Sequence, residues 1–142
     1  MTALRPKSGG RSLGAGWLPD MAKVLVIEDN APNLTLAVFL LQSAGHAVVS
    51  ATDAEAGLML AREERPNLIL MDIQLPGMDG FEAIALLKRD EATRAIPVIA
   101  LTALAMKGDE ERIRAAGCDG YIAKPMGYQE FLATVATQLA RT

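Results

Sequence analysis

The sequence predicts an open, doubly wound α/β sheet of five parallel strands with five helices. Three observations carry this expectation. From Lys23 onward, five short apolar runs alternate with five helical patterns. The first, third and fourth runs lack the in/out alternation of a sheet with one wet face, as strands covered on both sides do. Finally, five βα units occupy residues 22–142, where a closed barrel needs eight.

The first run, Val24–Ile27, leads to Asn30, a capping residue just before Pro32. Leu34, Ala37, Val38 and Leu41 then recur at helical spacing until Gly45 stops the helix. Val48–Ala51 is the second strand, and Asp53 opens an Ala-rich second helix. Leu68–Met71 is the third strand. Asp79, with Glu82 three residues later, is a capping-box start for the third helix. After the fourth strand, Val98–Leu101, the charged run Asp109–Arg114 reads as the solvated face of a helix that stops at Gly117. Gly120–Ala123 is the last strand, and Tyr128, Phe131, Leu132 and Val135 mark the apolar stripe of the last helix. Right-handed crossovers place these helices on both faces of the sheet. No internal repeat beyond this alternation and no low-complexity stretch interrupts it.

Composition narrows the class. A chain of 142 residues that is 51% hydrophobic folds around a core and is no disordered segment. No apolar run reaches the roughly 18–20 residues of a membrane span. One cysteine, Cys118, excludes an intrachain disulfide. With a single histidine, His46, it also excludes a His/Cys zinc site, and both fit a reducing, cytoplasmic setting. A net charge of −3 gives no general reason to bind nucleic acid or an anionic membrane. Residues 1–20 carry Arg5, Lys7 and Arg11 against Asp20, a net of +2, so −5 falls on the rest. Residues 1–21 are rich in Gly, Ser and Pro without apolar periodicity and read as a flexible leader to a domain at 22–142. No apolar h-region precedes Trp17, which rejects a signal peptide. Met21 stands directly before the first strand, as an alternative start would. Trp17 and Leu18 folding back as an apolar anchor is the other reading, and the sequence leaves both open.

In doubly wound sheets the chemistry lies outside the carboxyl ends of the strands. Glu28-Asp29-Asn30 ends the first strand here, Asp72 the third and Thr102 the fourth, and Lys124-Pro125 follows the fifth. Taken singly, each has a plain structural explanation as a turn, a cap or a solvated lysine. Together they make a phosphoryl-transfer set. Three carboxylates in one cleft repel unless a cation holds them ionised. Oxygen donors without His or Cys suit hard Mg²⁺. A carboxylate is a competent nucleophile toward phosphorus. Lysine and hydroxyl then neutralise and orient the transferred group.

The order Glu-Asp-Asn, Met-Asp-Ile-Gln-Leu-Pro-Gly-Met-Asp-Gly, Ala-Leu-Thr-Ala, Tyr-Ile-Ala-Lys-Pro resembles response-regulator receiver domains over about residues 22–142. The resemblance implies the flavodoxin-like strand order 2-1-3-4-5. It makes Asp72 the phosphoacceptor and Asp29 the main acidic Mg²⁺ ligand, with Glu28 behind it or acting through water. The Gln74 backbone carbonyl becomes a further ligand, Thr102 the switch hydroxyl, Lys124 the phosphoryl-binding cation and Tyr121 the aromatic that moves with phosphorylation. A cis Lys124–Pro125 bond is also implied, as are effects of Gln74 and Leu104 on phosphate lifetime. The stretch Met106–Arg112 with Gly117-Cys118 is similar to stand-alone, cell-division-type (DivK-like) receivers.

The resulting expectation is a stand-alone switch, not an enzyme in its own right, phosphorylated by a histidine kinase or phosphotransfer protein. One helix after Lys124 leaves no room for a DNA-binding effector, so the output passes to a protein partner through the face of the fourth helix, fifth strand and fifth helix. Two alternative functions fit the residues less well. An Asp-nucleophile phosphatase wants a second acid two residues on, where Gln74 stands. A flavin- or nucleotide-binding protein wants a phosphate loop where Glu28-Asp29-Asn30 would repel the phosphate, and few aromatics are available to stack a flavin. Cys118 reads as turn filler, His46 as a surface residue far from the carboxylates.

Overall fold

The computed structural model describes residues 22–103, 107–125 and 127–141. Residues 1–21, expected to form a leader, and Leu104 and Met106 lie outside them. Five strands and five helices alternate: β1 (Lys23–Ile27), α1 (Ala31–Ser43), β2 (Ala47–Ala51), α2 (Ala54–Glu64), β3 (Leu68–Asp72), α3 (Gly80–Arg89), β4 (Val98–Thr102), α4 (Lys107–Ala115), β5 (Gly120–Ala123) and α5 (Tyr128–Ala140). The strands pair in parallel in the order β2-β1-β3-β4-β5, so the expected fold is the observed one.

Alternate residues of the central strands feed two cores, which is why those strands read as unbroken apolar runs. Leu25, Ile27, Ile69, Met71, Val98 and Ala100 face the layer of α2, α3 and α4, where Ile84, Leu87 and Ile113 are buried. Val24, Val26, Leu68, Leu70, Ile99 and Leu101 face α1 and α5 and pack with Leu40, Leu41, Phe131 and Val135. Each buried Val, Leu, Ile, Met or Phe side chain among them contributes roughly 1.5–3 kcal/mol.

The starts of the first three helices are capped by the residues that announce them. Asn30 accepts from the Asn33 N–H at 2.9 Å, Asp53 from Ala56 at 2.8 Å and Asp79 from Glu82 at 2.9 Å. Two details depart from the sequence pattern. α2 ends on Arg65 at φ 46°, a left-handed position filled without glycine. Tyr128, expected on the apolar stripe of α5, is 59% exposed at the helix's first turn, whereas Gln138 near its end is buried.

Candidate functional site

The strand order reverses between β1 and β3, and the crevice this opens receives their carboxyl ends. Backbone hydrogen bonds fix those ends: Glu28 N–H donates to Ala51 O at 3.0 Å, Ile73 N–H to Leu101 O at 3.2 Å and Lys124 N–H to Thr102 O at 2.8 Å. Two glycines allow helices to press against this edge. A Cβ on Gly80, the first residue of α3, would collide with Ile73 Cα and lie 2.7 Å from Asp72 O. One on Gly57 of α2 would lie 2.7 Å from Ile27 Cγ1, directly before Glu28.

Glu28 and Asp72 are buried and Asp29 is exposed, and carboxylate oxygens of all three lie within 4.8 Å of one another. Lys124 Nζ sits 2.8 Å from Glu28 Oε1 and 3.0 Å from Asp72 Oδ2. The Gln74 N–H donates to Asp72 Oδ1 at 2.8 Å. Both Asp72 oxygens are thus oriented, one by a backbone amide and one by the ammonium. Neither Glu28 oxygen receives a well-directed hydrogen bond from the described residues, so the Lys124 contact acts as an ion pair. Buried oxygens short of donors, beside two further carboxylates, form a hard donor set that fits Mg²⁺.

Burial drives the titration of this cluster. It pushes the Glu28 carboxyl up, the neighbouring Asp72 adds to the push and Lys124 opposes it, leaving Glu28 at about 7 against an ordinary 4.5. Asp72 is pushed up by the same burial. Glu28, the Gln74 N–H and Lys124 outweigh that and hold Asp72 below its ordinary 3.8. Burial would lower Lys124, but the two carboxylates keep it above its ordinary 10.5. At neutral pH Asp72 is therefore an ionised oxygen nucleophile beside a fixed cation. Thr102, buried at the end of β4, borders the same edge.

Residues 24–136 match the response regulator receiver domain. The chain belongs to that family. The polar-differentiation response regulator DivK of Brucella anthropi is 48% identical over 116 residues, which span 82% of this chain and 94% of DivK. Among solved structures, the receiver domain of the sensor histidine kinase PA1611 from Pseudomonas aeruginosa, with a magnesium ion coordinated in its active site cleft, is 34% identical. It aligns with a TM-score of 0.78 over 84% of this chain and 98% of that one. The chemotaxis response regulator CheY4 of Vibrio cholerae is 28% identical with a TM-score of 0.79 over the same shares. The chain is a two-component signalling receiver homologous to DivK and to CheY-like regulators.

The receiver's edge gathers Glu28, Asp29, Asp72, Thr102 and Lys124 as the sequence expected, and the Lys124–Pro125 bond is cis. Tyr121 is half-buried and pairs with Ala100, one step along the strand from the Thr102–Ala123 pair and on the same face. Other features were missed. The Gln74 side chain reaches across to β4, its Oε1 accepting from Ala103 N–H at 3.4 Å. The need for glycine at 80 was also missed, although a glycine directly after the Asp79 cap was its one visible sign. Arg112 of α4 lies 4.6 Å over the Phe81 ring of α3, so the charged helix is tied to its neighbour by a cation–π contact. His46 requires a correction. It lies at the opposite end of the sheet, as expected, but is buried, because its N–H bonds back to Leu41 O and draws it under the end of α1. Cys118 is buried core, and burial, with Asp119 beside it, pushes its thiol up to about 11, away from thiolate chemistry.

Proposed function

We propose that Asp72 accepts a phosphoryl group from a phosphohistidine on a histidine kinase or phosphotransfer protein. An Asp72 carboxylate oxygen attacks phosphorus, the P–O bond forms as the P–N bond breaks, and the imidazole leaves. Asp29, Asp72 and the Gln74 backbone carbonyl are the residues to hold Mg²⁺, with Glu28 behind them. The ion supplies charge neutralisation on the phosphoryl oxygens. Lys124 provides the protein's own positive charge, and the Thr102 hydroxyl donates to a phosphoryl oxygen. The observation that carries this reading is the Lys124 ammonium held at 3.0 Å from a buried, ionised Asp72.

The donor's approach is supported by the surface beside the cleft. α1 starts two residues after Asp29, and its Pro32, Thr35, Leu36 and Phe39 line an apolar hollow of about 580 Å³, with Phe39 63% exposed. A helical donor bundle fits such a surface. The signal then leaves through the α4–β5–α5 face to a protein target, with the chain acting as a stand-alone cytoplasmic regulator. Its covalent chemistry is confined to accepting and slowly losing its own phosphate. Asp72→Asn tests the assignment: labelling by acetyl phosphate with Mg²⁺ should disappear, and undiminished incorporation at another residue would overturn it.

A further inference from the structure

At the amino-terminal end of the sheet, opposite the carboxylate cleft, a polar hollow of about 380 Å³ lies between the end of α3, the entry to β4 and the end of α5. Among the described residues, Lys88, Arg94 and Arg141 line it against one side-chain carboxylate, Asp119, a side-chain charge of +2 in a chain of net −3. That carboxylate is already engaged. Asp119 Oδ2 accepts from the Val98 N–H at 2.9 Å and stands 4.0 Å from Lys88 Nζ. Lys88 Nζ also donates to Ile96 O at 3.0 Å, which fixes the ammonium at the rim. Arg94 and Arg141 form no ion pair among the described residues.

An independent observation concerns Gln138. It is only 7% exposed, yet its carboxamide makes no hydrogen bond among the described residues. It lines this hollow and an adjoining one of about 410 Å³ that shares Asp119 and Arg141. Its amide atoms are not among the buried unsatisfied ones, so they open onto these hollows, where a bound group can accept from the N–H.

We propose that this hollow is a binding site for a small, multiply charged oxyanion of the phosphate class. Arg94 and Arg141 offer planar forks that match phosphate oxygens, Lys88 adds a fixed point charge, and the Gln138 amide N–H donates from the floor. The lining argues against an acidic protein segment. Among the described residues, Ala95 and Pro97 are its only apolar members, and no aromatic side chain lines it to anchor an interface. The site is separate from Asp72 and does not depend on the phosphoryl-acceptor reading.

The test is a residue-resolved NMR titration of the full chain with inorganic phosphate and with pyrophosphate, at ionic strength held constant with sodium chloride. Saturable shifts are expected at the amides of Ala95, Asp119, Gly120 and Gln138, with pyrophosphate the tighter binder. Arg94→Ala and Arg141→Ala, both at exposed positions, should each weaken binding roughly tenfold. Gln138→Met keeps the side-chain volume, so weaker binding without loss of melting temperature would assign the amide to the anion rather than to packing. Shifts that never saturate, or that survive both arginine substitutions, overturn the proposal. So do shifts confined to Ala103 and Lys124, which would place the anion in the carboxylate cleft. Saturation of the same amides by hexaglutamate but not by either phosphate would show a peptide site instead and equally refute it.

Discussion

Glu28 and Asp72 share one ammonium group: Lys124 Nζ lies 2.8 Å from the first carboxylate and 3.0 Å from the second. Removing that cation leaves two buried acids facing each other with no counter-charge. Lys124→Met should therefore destabilise the metal-free protein at pH 8 by about 3 kcal/mol, the usual scale for breaking a buried pair. Millimolar Mg²⁺ should recover much of the loss by replacing the missing charge. Urea unfolding of both proteins, with and without chelator, measures this, and a deficit indifferent to Mg²⁺ would mean the cluster holds no metal.

The Glu28 titration gives the second prediction a sign. Its folded value, about 7, lies above its ordinary 4.5, so the folded state binds the extra proton between those limits. Stability from this group is complete below 4.5 and is lost as pH rises through 7. In chelator, the melting temperature of wild type relative to Glu28→Gln should fall between pH 5.5 and pH 8. Mg²⁺ favours the ionised cluster, so its affinity for wild type should climb across the same window. A calorimetric Mg²⁺ titration at the two pH values checks this; equal affinities would separate Glu28 from the metal site.

How much of this site was legible in the sequence depended on whether a feature is local. Asn30, Asp53 and Asp79 cap the helices they announce, because capping is a bond between near neighbours. The carboxylates, Thr102 and Lys124 were readable as a set because the topology of parallel strands sends all strand ends to one edge. The depth of Glu28 and His46 was not readable, since burial depends on what packs above them. Nor was the Gln74–Ala103 contact, which spans 29 residues. The stripe of α5 misled at Tyr128 because a first-turn residue on the helical face can still project past the sheet edge.

Gly80 follows from that same blind spot. A methyl there would meet Ile73 Cα and Asp72 O, both backbone atoms that cannot turn aside. Gly80→Ala should cost about 1–3 kcal/mol, as overpacking does, and shift the loop that orients Asp72, slowing labelling by acetyl phosphate. Gly108, in α4 with nothing within 4 Å of a Cβ, is the control: its change to Ala should be neutral or stabilise by up to about 1 kcal/mol. Equal effects at the two positions in denaturant unfolding would contradict the steric account.

The last prediction concerns output. Thr102 is buried at the end of β4, and Tyr121 lies on the adjacent strand, one step back along the same face, half-buried against the core under α4. A phosphoryl group on Asp72 offers the Thr102 hydroxyl a charged acceptor, and such hydrogen bonds are the stronger kind. Drawing the hydroxyl toward the cleft leaves room on the α4 side, into which the Tyr121 ring can turn. Two such ring positions would present different surfaces between α4 and α5, and a partner that prefers one would read the phosphate. Coupling of this sort is typically about 1–3 kcal/mol, a preference of roughly 5- to 150-fold for the phosphorylated form. Thr102→Ala should leave Asp72 able to accept phosphate while shrinking that preference, and Tyr121→Ala should shrink it too, since there is then no ring to move. Titrating a partner against wild type and both variants, each with and without beryllofluoride, decides the matter. If Thr102→Ala keeps the full preference, the hydroxyl does not carry the signal, whatever the outcome at Asp72.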